Sequence, residues 1–165
     1  MPPETDNLKL EELFQDDQKD RERVYETSAD VQKLSERDAS RRKRVNVMLE
    51  LGEVRTKNDL YHAAVIFQHG TQAADFLAAH RLSTLAAILG HRTARWLLAA
   101  SLDRFLMTIE RGQVYGSQFE YNPVERQYQL KLPVQETLLV SFEKEMLGIP
   151  SVNERLTQLN AQINK

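Results

Sequence analysis

Four apolar stretches with helical spacing, each closed by a glycine, constrain this chain most. Val31, Leu34, Val45, Met48 and Leu49 recur on one face within residues 30–51, before Gly52. Leu60, Tyr61, Ala64, Val65 and Phe67 do so within 58–69, before Gly70-Thr71. Residues 72–89, rich in Ala and Leu, stop at Gly90. Residues 91–111, the most apolar, run from Trp96 through Leu102 and Phe105 to Ile109 and stop at Gly112. Such a period marks amphipathic helices, and glycine past the last turn supplies the left-handed residue that ends one. Leu10, Leu13, Phe14, Val24 and Tyr25 add an earlier helix over 8–25, with a break at 28–30.

The period then changes to two. Phe119-Glu120-Tyr121 and residues 128–132 alternate around Asn122-Pro123, which predicts a short β-hairpin or extended arm within 113–133. A short helix is expected over 137–147. Ser151-Val152-Asn153-Glu154 reads as a capping box opening a last helix to about Ile163. The expected architecture is mainly α, with five to six helices in one bundle-like domain over 1–165 and residues 1–7 frayed.

Charge and cysteine exclude several functions. Of 24 acids and 22 bases, residues 1–59 carry 15 and 12, and the rest 9 and 10. The first third therefore reads as solvated helices and the middle as core. The net charge of -2 provides no global basic field for nucleic acid or an anionic membrane. No apolar run approaches the length of a membrane span. Cysteine is absent, which excludes disulfides, thiolate zinc, cysteine-ligated iron–sulfur clusters and a cysteine nucleophile. Met1-Pro2-Pro3 opens no signal sequence, so a cytoplasmic chain is expected, or a mature secreted form given a new Met.

Polar residues inside apolar helices mark the candidate site. Asp103 shares a face with Trp96, Ala99, Ala100 and Met107, where a carboxylate is costly unless paired. Asp103 and Arg104 are helix neighbours about 100° apart and do not pair well with each other. The expected partners are Arg21 for Asp103, and Asp17 or Asp20 for Arg104. His69 ends the 58–69 helix. It either satisfies a carbonyl there, or serves as a general acid/base or a donor to an anion. Gln113, Tyr115, Gly116 and Gln118 lie in a turn that either presents amides to a ligand or satisfies its own backbone.

Other patterns carry less. His62, His69, His80 and His91 lack metal-ligand spacing, so no metal or other cofactor is expected; the other three read as surface or helix-end residues. Arg41-Arg42-Lys43-Arg44 reads as a solvated, ion-paired helix face rather than a nucleic-acid contact. No P-loop, GxGxxG or GxSxG occurs.

Asp17-Gln18-Lys19-Asp20-Arg21, then Gln68-His69, then Asp103-Arg104, then Gln113-Val114-Tyr115-Gly116-Ser117-Gln118-Phe119 occur in that order. Together they resemble an uncharacterised bacterial family, a domain of unknown function marked by DQ-x-x-R, QH, DR and Q-x-YGTQF. The resemblance covers residues 11–119, and Leu147-Gly148-Ile149-Pro150 is similar to the family's GLP-type turn. Ser117 stands where the family has Thr, which keeps the hydroxyl, and residues 30–58 depart from the pattern. The resemblance implies no activity. It does imply a shared site, because the motif residues are polar rather than apolar. Many members resemble secreted chains.

The leading expectation is a polar cleft for a small anionic molecule. Arg21 and Arg104 would hold a carboxylate or phosphate bidentately, and His69 would transfer a proton with Asp103 orienting it. Gln18, Gln68, Gln113, Tyr115 and Gln118 would contact the ligand, and Gly116 would shape the turn. The alternative is a protein-interaction or structural module whose polar residues form a buried network. A cleft open to solvent favours the first; a sealed, satisfied network favours the second.

Overall fold

Side-chain caps set where the helices begin. Asn7 Oδ1 accepts the Lys9 and Leu10 amides at 3.0 and 3.2 Å and opens α1 (Leu8–Arg21). Thr27 opens α2 (Ser28–Glu50), two residues before the expected start, because its hydroxyl accepts the Asp30 amide. Thr56 and Asp59 form a capping box at the head of α3 (Lys57–Gln68). Each such cap stabilises its helix by about 1 kcal/mol. Then follow α4 (Ala73–Ile88), α5 (Ala94–Thr108), strands β1 (Phe119–Asn122) and β2 (Gln127–Leu130), α6 (Leu138–Leu147) and α7 (Val152–Ile163). The computed structural model describes residues 5–135 and 138–163. Within them the fold is mainly helical, with seven helices rather than five or six and a single antiparallel hairpin pairing Phe119 with Leu130.

Two expectations change, one at the N-terminus and one at the end of α5. Asp6 and Asn7 are not frayed: Asp6 accepts from the Thr56 hydroxyl at 2.5 Å and the Asn58 amide at 2.8 Å. The Asn7 N–H donates to the buried Asp59 carboxylate, which also takes the Arg55 and Thr56 amides. The helix expected to run to Arg111 stops at Thr108. Glu110 takes the left-handed conformation (φ 59°), and the Arg111 amide closes back on Leu106 O at 2.8 Å.

The main core joins Leu10 and Leu13 of α1, Val45 and Met48 of α2, most of α3, and the inner faces of α4 and early α5. A second apolar cluster forms around Ala99, Tyr115, Val140 and Ile149, where α6 and the 113–118 turn meet α5. Helix α7 covers the open edge of β2: Asn160 Oδ1 accepts the Tyr128 amide at 2.6 Å, and Asn160 Nδ2 donates to Tyr128 O. Covering an edge in this way prevents pairing with other chains.

Helix α2 is attached unevenly. Its buried apolar residues, Val45 and Met48, lie in the C-terminal half, while Val31 is 53% exposed. The N-terminal half is held by ion pairs. Arg21 meets Asp38 at 2.7 Å, Arg37 meets Asp20 at 2.9 Å, and buried Arg41 bridges Asp20 and Asp38. The acidic first third is thus not simply solvated; Asp17, Asp20, Asp38 and Arg41 are buried.

Candidate functional site

Asp103 sits fully buried in α5 and organises the turn after that helix. Its Oδ1 accepts the Val114 and Tyr115 amides at 2.6 and 2.9 Å. Its Oδ2 accepts the Ser117 amide at 2.9 Å and the Ser117 hydroxyl at 2.7 Å. Four donors compensate the desolvated charge without any arginine. Gly116 adopts φ +66°, and a Cβ there would stand 3.0 Å from Val152, so glycine serves the turn. Gln113, also fully buried, accepts the Gln118 amide at 2.9 Å and donates to Gln118 O and Lys131 O. The Tyr115 hydroxyl donates to Glu143 at 3.2 Å; burial first, then the Glu143 charge, pushes the phenol up to about 12.

These placements differ from four expectations. Asp103 does not orient His69 and does not pair with Arg21; its hydrogen bonds all go to the turn. Gln113 is consumed in closing the turn, and Tyr115 in bracing it.

His69 instead meets Asp17. The imidazole Nδ1 lies 2.8 and 3.0 Å from the two oxygens of that buried carboxylate. A carboxylate only accepts, so Nδ1 carries the proton and Nε2 faces away, in the geometry of a braced general base. Gln18 donates to the same carboxylate at 2.9 Å, and Arg21 Nη2 at 3.3 Å. Gln18 is therefore turned onto Asp17. Two buried polar atoms of motif residues, Arg21 Nε and Gln68 Oε1, have no hydrogen-bond partner among the described residues.

The end of α3 is capped from two sides. Arg104 Nη1 donates to Gln68 O at 2.9 Å, and Arg42 Nη1 to His69 O at 3.2 Å. Cationic side chains suit the open carbonyls of a helix C-terminus. Arg104 also donates from Nε to Gln118 Oε1 at 3.3 Å and lies 5.5 Å over the Phe76 ring. Gln118 Nε2 is spent on Ala100 O and the Ser117 hydroxyl, so this residue positions Arg104. Neither Asp17 nor Asp20 reaches Arg104, which has no carboxylate partner among the described residues. Burial pushes its pKa below the ordinary arginine value.

Beside Arg104 opens a cleft of about 600 Å3. Among the described residues Arg104 and Lys131 are its cations, and no acid lines it. Phe76, Met107 and Phe119 form an apolar wall, with Thr71 and Thr108 adding hydroxyls. Of the expected site residues, Arg104 and Gln118 line the cleft. His69, Arg21, Gln18 and Gln68 do not, although Thr71 stands two residues from His69. The motif residues still form one chain of contacts: Asp17 to His69, Gln68 O to Arg104, Arg104 to Gln118, and Gln118 to Gln113.

The remaining histidines have local roles. His80 Nδ1 lies 2.9 Å from Leu98 O, tying α4 to α5. His91 Nδ1 accepts the Ala94 amide at 3.2 Å and heads α5, while its ring stacks on Tyr61. His62 stacks on Phe14 with its Nδ1 buried, so it is a half-buried residue inside α3 rather than a helix-end one. The basic tetrad is divided: Arg41 is buried among carboxylates, Arg42 caps α3 and reaches Asp75 at 3.5 Å, and Lys43 and Arg44 are exposed. Among the described residues no three histidines or carboxylates are grouped to hold a metal.

Sequence reasoning gave Asp17 a different partner, Arg104 instead of His69, and missed Phe76 and Lys131. Asp17 is four residues before Arg21, a spacing that does bring them together. Phe76 is the aromatic interruption of an Ala- and Leu-rich helix. Lys131 carried no signal. No protein-family model, curated protein or solved structure matches the chain.

Proposed function

We propose that this protein binds a small anionic molecule in the cleft beside Arg104. One observation carries the reading. Among the described residues, Arg21, Arg37 and Arg41 are all neutralised by carboxylates, whereas Arg104, held by Gln68 O and Gln118, has no carboxylate partner and shares with Lys131 a cleft that no acid lines. A desolvated cation without a counter-charge attracts an anion more strongly than a solvated one. The cleft volume falls within the roughly 300–1,000 Å3 common for small-molecule sites.

The bidentate clamp expected of Arg21 and Arg104 is not part of this reading. Arg21 Nη2 is shared between Asp17 and Asp38, and two of the three Arg104 nitrogens are committed. The Asp17–His69 pair has a geometry suited to proton transfer, but it does not line the cleft, so no reaction is routed through it.

The alternative, a structural or protein-interaction module, is favoured by the other half of the network. Asp103 and Gln113 are sealed and hydrogen-bonded, as a register-fixing network would be. The two readings separate by titration of a panel of small carboxylates and phosphates, followed by amide NMR. Saturable shifts are expected at Thr71, Phe76 and Gln118, and should be lost in Lys131→Glu, an exposed site that leaves the core intact. Shifts scattered over exposed arginines, or unchanged in Lys131→Glu, would leave the structural reading.

A further inference from the structure

The groups around the cleft also select among anions; this step rests on the anion-binding reading. Specific recognition of phosphate by arginine uses two neighbouring nitrogens as a fork. At Arg104 the side-on fork of Nε and Nη2 is closed at Nε by Gln118, and Nη1 is engaged by Gln68 O. One Nη1 hydrogen and both Nη2 hydrogens remain for a ligand, with the ammonium of Lys131 elsewhere on the lining. The cationic part of the cleft is one partly committed guanidinium and one exposed ammonium.

An apolar part lies beside it. Phe76 lies under the guanidinium, and Met107 and Phe119 extend the wall. A compact, strongly hydrated dianion would leave that wall uncovered while losing its own hydration beside it. A molecule with one negative end and an apolar body satisfies both parts. Apolar burial and the ion pair to the desolvated Arg104 would both contribute to its affinity, and the ion pair would orient it. The Thr108 hydroxyl donates to Arg104 O at 2.8 Å and keeps its lone pairs toward other donors, so neutral polar groups on the body are also tolerated.

We infer that the cleft takes an amphipathic monocarboxylate, its charged end at Arg104 and Lys131 and its apolar body against Phe76, Met107 and Phe119. The experiment is an amide NMR titration of the full chain with phenylacetate, hexanoate, acetate, inorganic phosphate and neutral phenylacetamide. Phenylacetate and hexanoate should move Thr71, Phe76 and Phe119 and bind about tenfold or more tighter than acetate or phosphate. Phenylacetamide should bind about tenfold more weakly than phenylacetate, and Lys131→Gln should weaken the carboxylates several-fold while leaving the amide unchanged. Phosphate binding as tightly as phenylacetate at the same residues would overturn the ligand class and leave the anion site standing. Equal binding of phenylacetate and phenylacetamide would remove charge from recognition, and the anion reading with it. No shift from any probe up to about 10 mM, a concentration at which even weak fragments register, would overturn both.

Discussion

His69 and Asp17, 52 residues apart in sequence, meet with Nδ1 at 2.8 and 3.0 Å from the two carboxylate oxygens. The contact ties the end of α3 to the middle of α1 beside the main core. It also fixes which ring nitrogen bears the proton. Asp17 is buried whereas the His69 side chain is 24% exposed, so the pair has a sealed end and an open end.

Replacing His69 by Ala should cost about 1–3 kcal/mol in a urea melt, because a buried acceptor loses a partner while Gln18 and Arg21 keep theirs. In the parent, nitrogen NMR should find the Nδ1–H tautomer in the neutral ring, and Asp17→Asn should disturb that preference. A melt within about 0.5 kcal/mol of the parent would mean that the contact contributes no stability, and that His69 is positioned for chemistry.

Asp103→Asn makes a stronger claim. The carboxylate accepts four hydrogen bonds from the turn, and an amide nitrogen cannot accept any. At least one buried N–H must lose its partner, at about 1–3 kcal/mol each. Amide exchange at Val114, Tyr115 and Ser117 should accelerate well beyond that of α3. Parent-like protection there would show that the turn holds its shape without the carboxylate.

The polar residues that proved connected were visible in the sequence because they interrupt apolar helices; the connections were not. Asp103 was recognised as costly, but its compensation came from backbone amides eleven to fourteen residues on. Backbone donors leave no mark in a residue pattern. Helix ends were legible where a side chain caps them, as at Ser151, and misjudged where a non-glycine residue turned left-handed, as at Glu110. The docking of α2 was hidden for a related reason. Val31 and Leu34 suggested an apolar face, yet the half of the helix that carries them is held by ion pairs. Lys131, one of the two cations in the cleft, is exposed on the hairpin and reads as any strand lysine would.

Those ion pairs give α2 an acid limit. Burial alone would raise the Asp20 carboxyl, but its hydrogen bonds and charge contacts with Arg37 and Arg41 outweigh that and hold it at about 2, against an ordinary 3.8. A lowered folded pKa stabilises above the unfolded value, and the benefit disappears as pH falls through the folded one. Stability should therefore decline from about pH 4 to pH 2, and protection of the amides within residues 28–41 should fall earlier than in α3. Asp20→Asn should flatten this limb; an equally steep limb would assign the loss to other carboxylates.

A second pH window belongs to His91 and lies nearer neutrality. Burial, then the charges of His62 and Lys57, lowers its pKa from the ordinary 6.5. Its Nδ1 accepts the Ala94 amide at the head of α5, which a protonated ring could not do, and a cation there would oppose the helix dipole. His62 is also lowered, again chiefly by burial. For both rings the folded state binds protons less readily than the unfolded chain. Their contribution is therefore complete above about pH 6.5 and lost as pH falls from there toward the lowered folded values. His91→Asn retains an oxygen that can accept the Ala94 amide and removes the titration. Urea melts between pH 7.5 and 5 should show a shallower loss in this variant than in the parent, whatever its absolute stability. The slope is the diagnostic, because losing the Tyr61 stack lowers both ends alike. Equal slopes would mean that the cap survives protonation, with the Ala94 amide finding another acceptor.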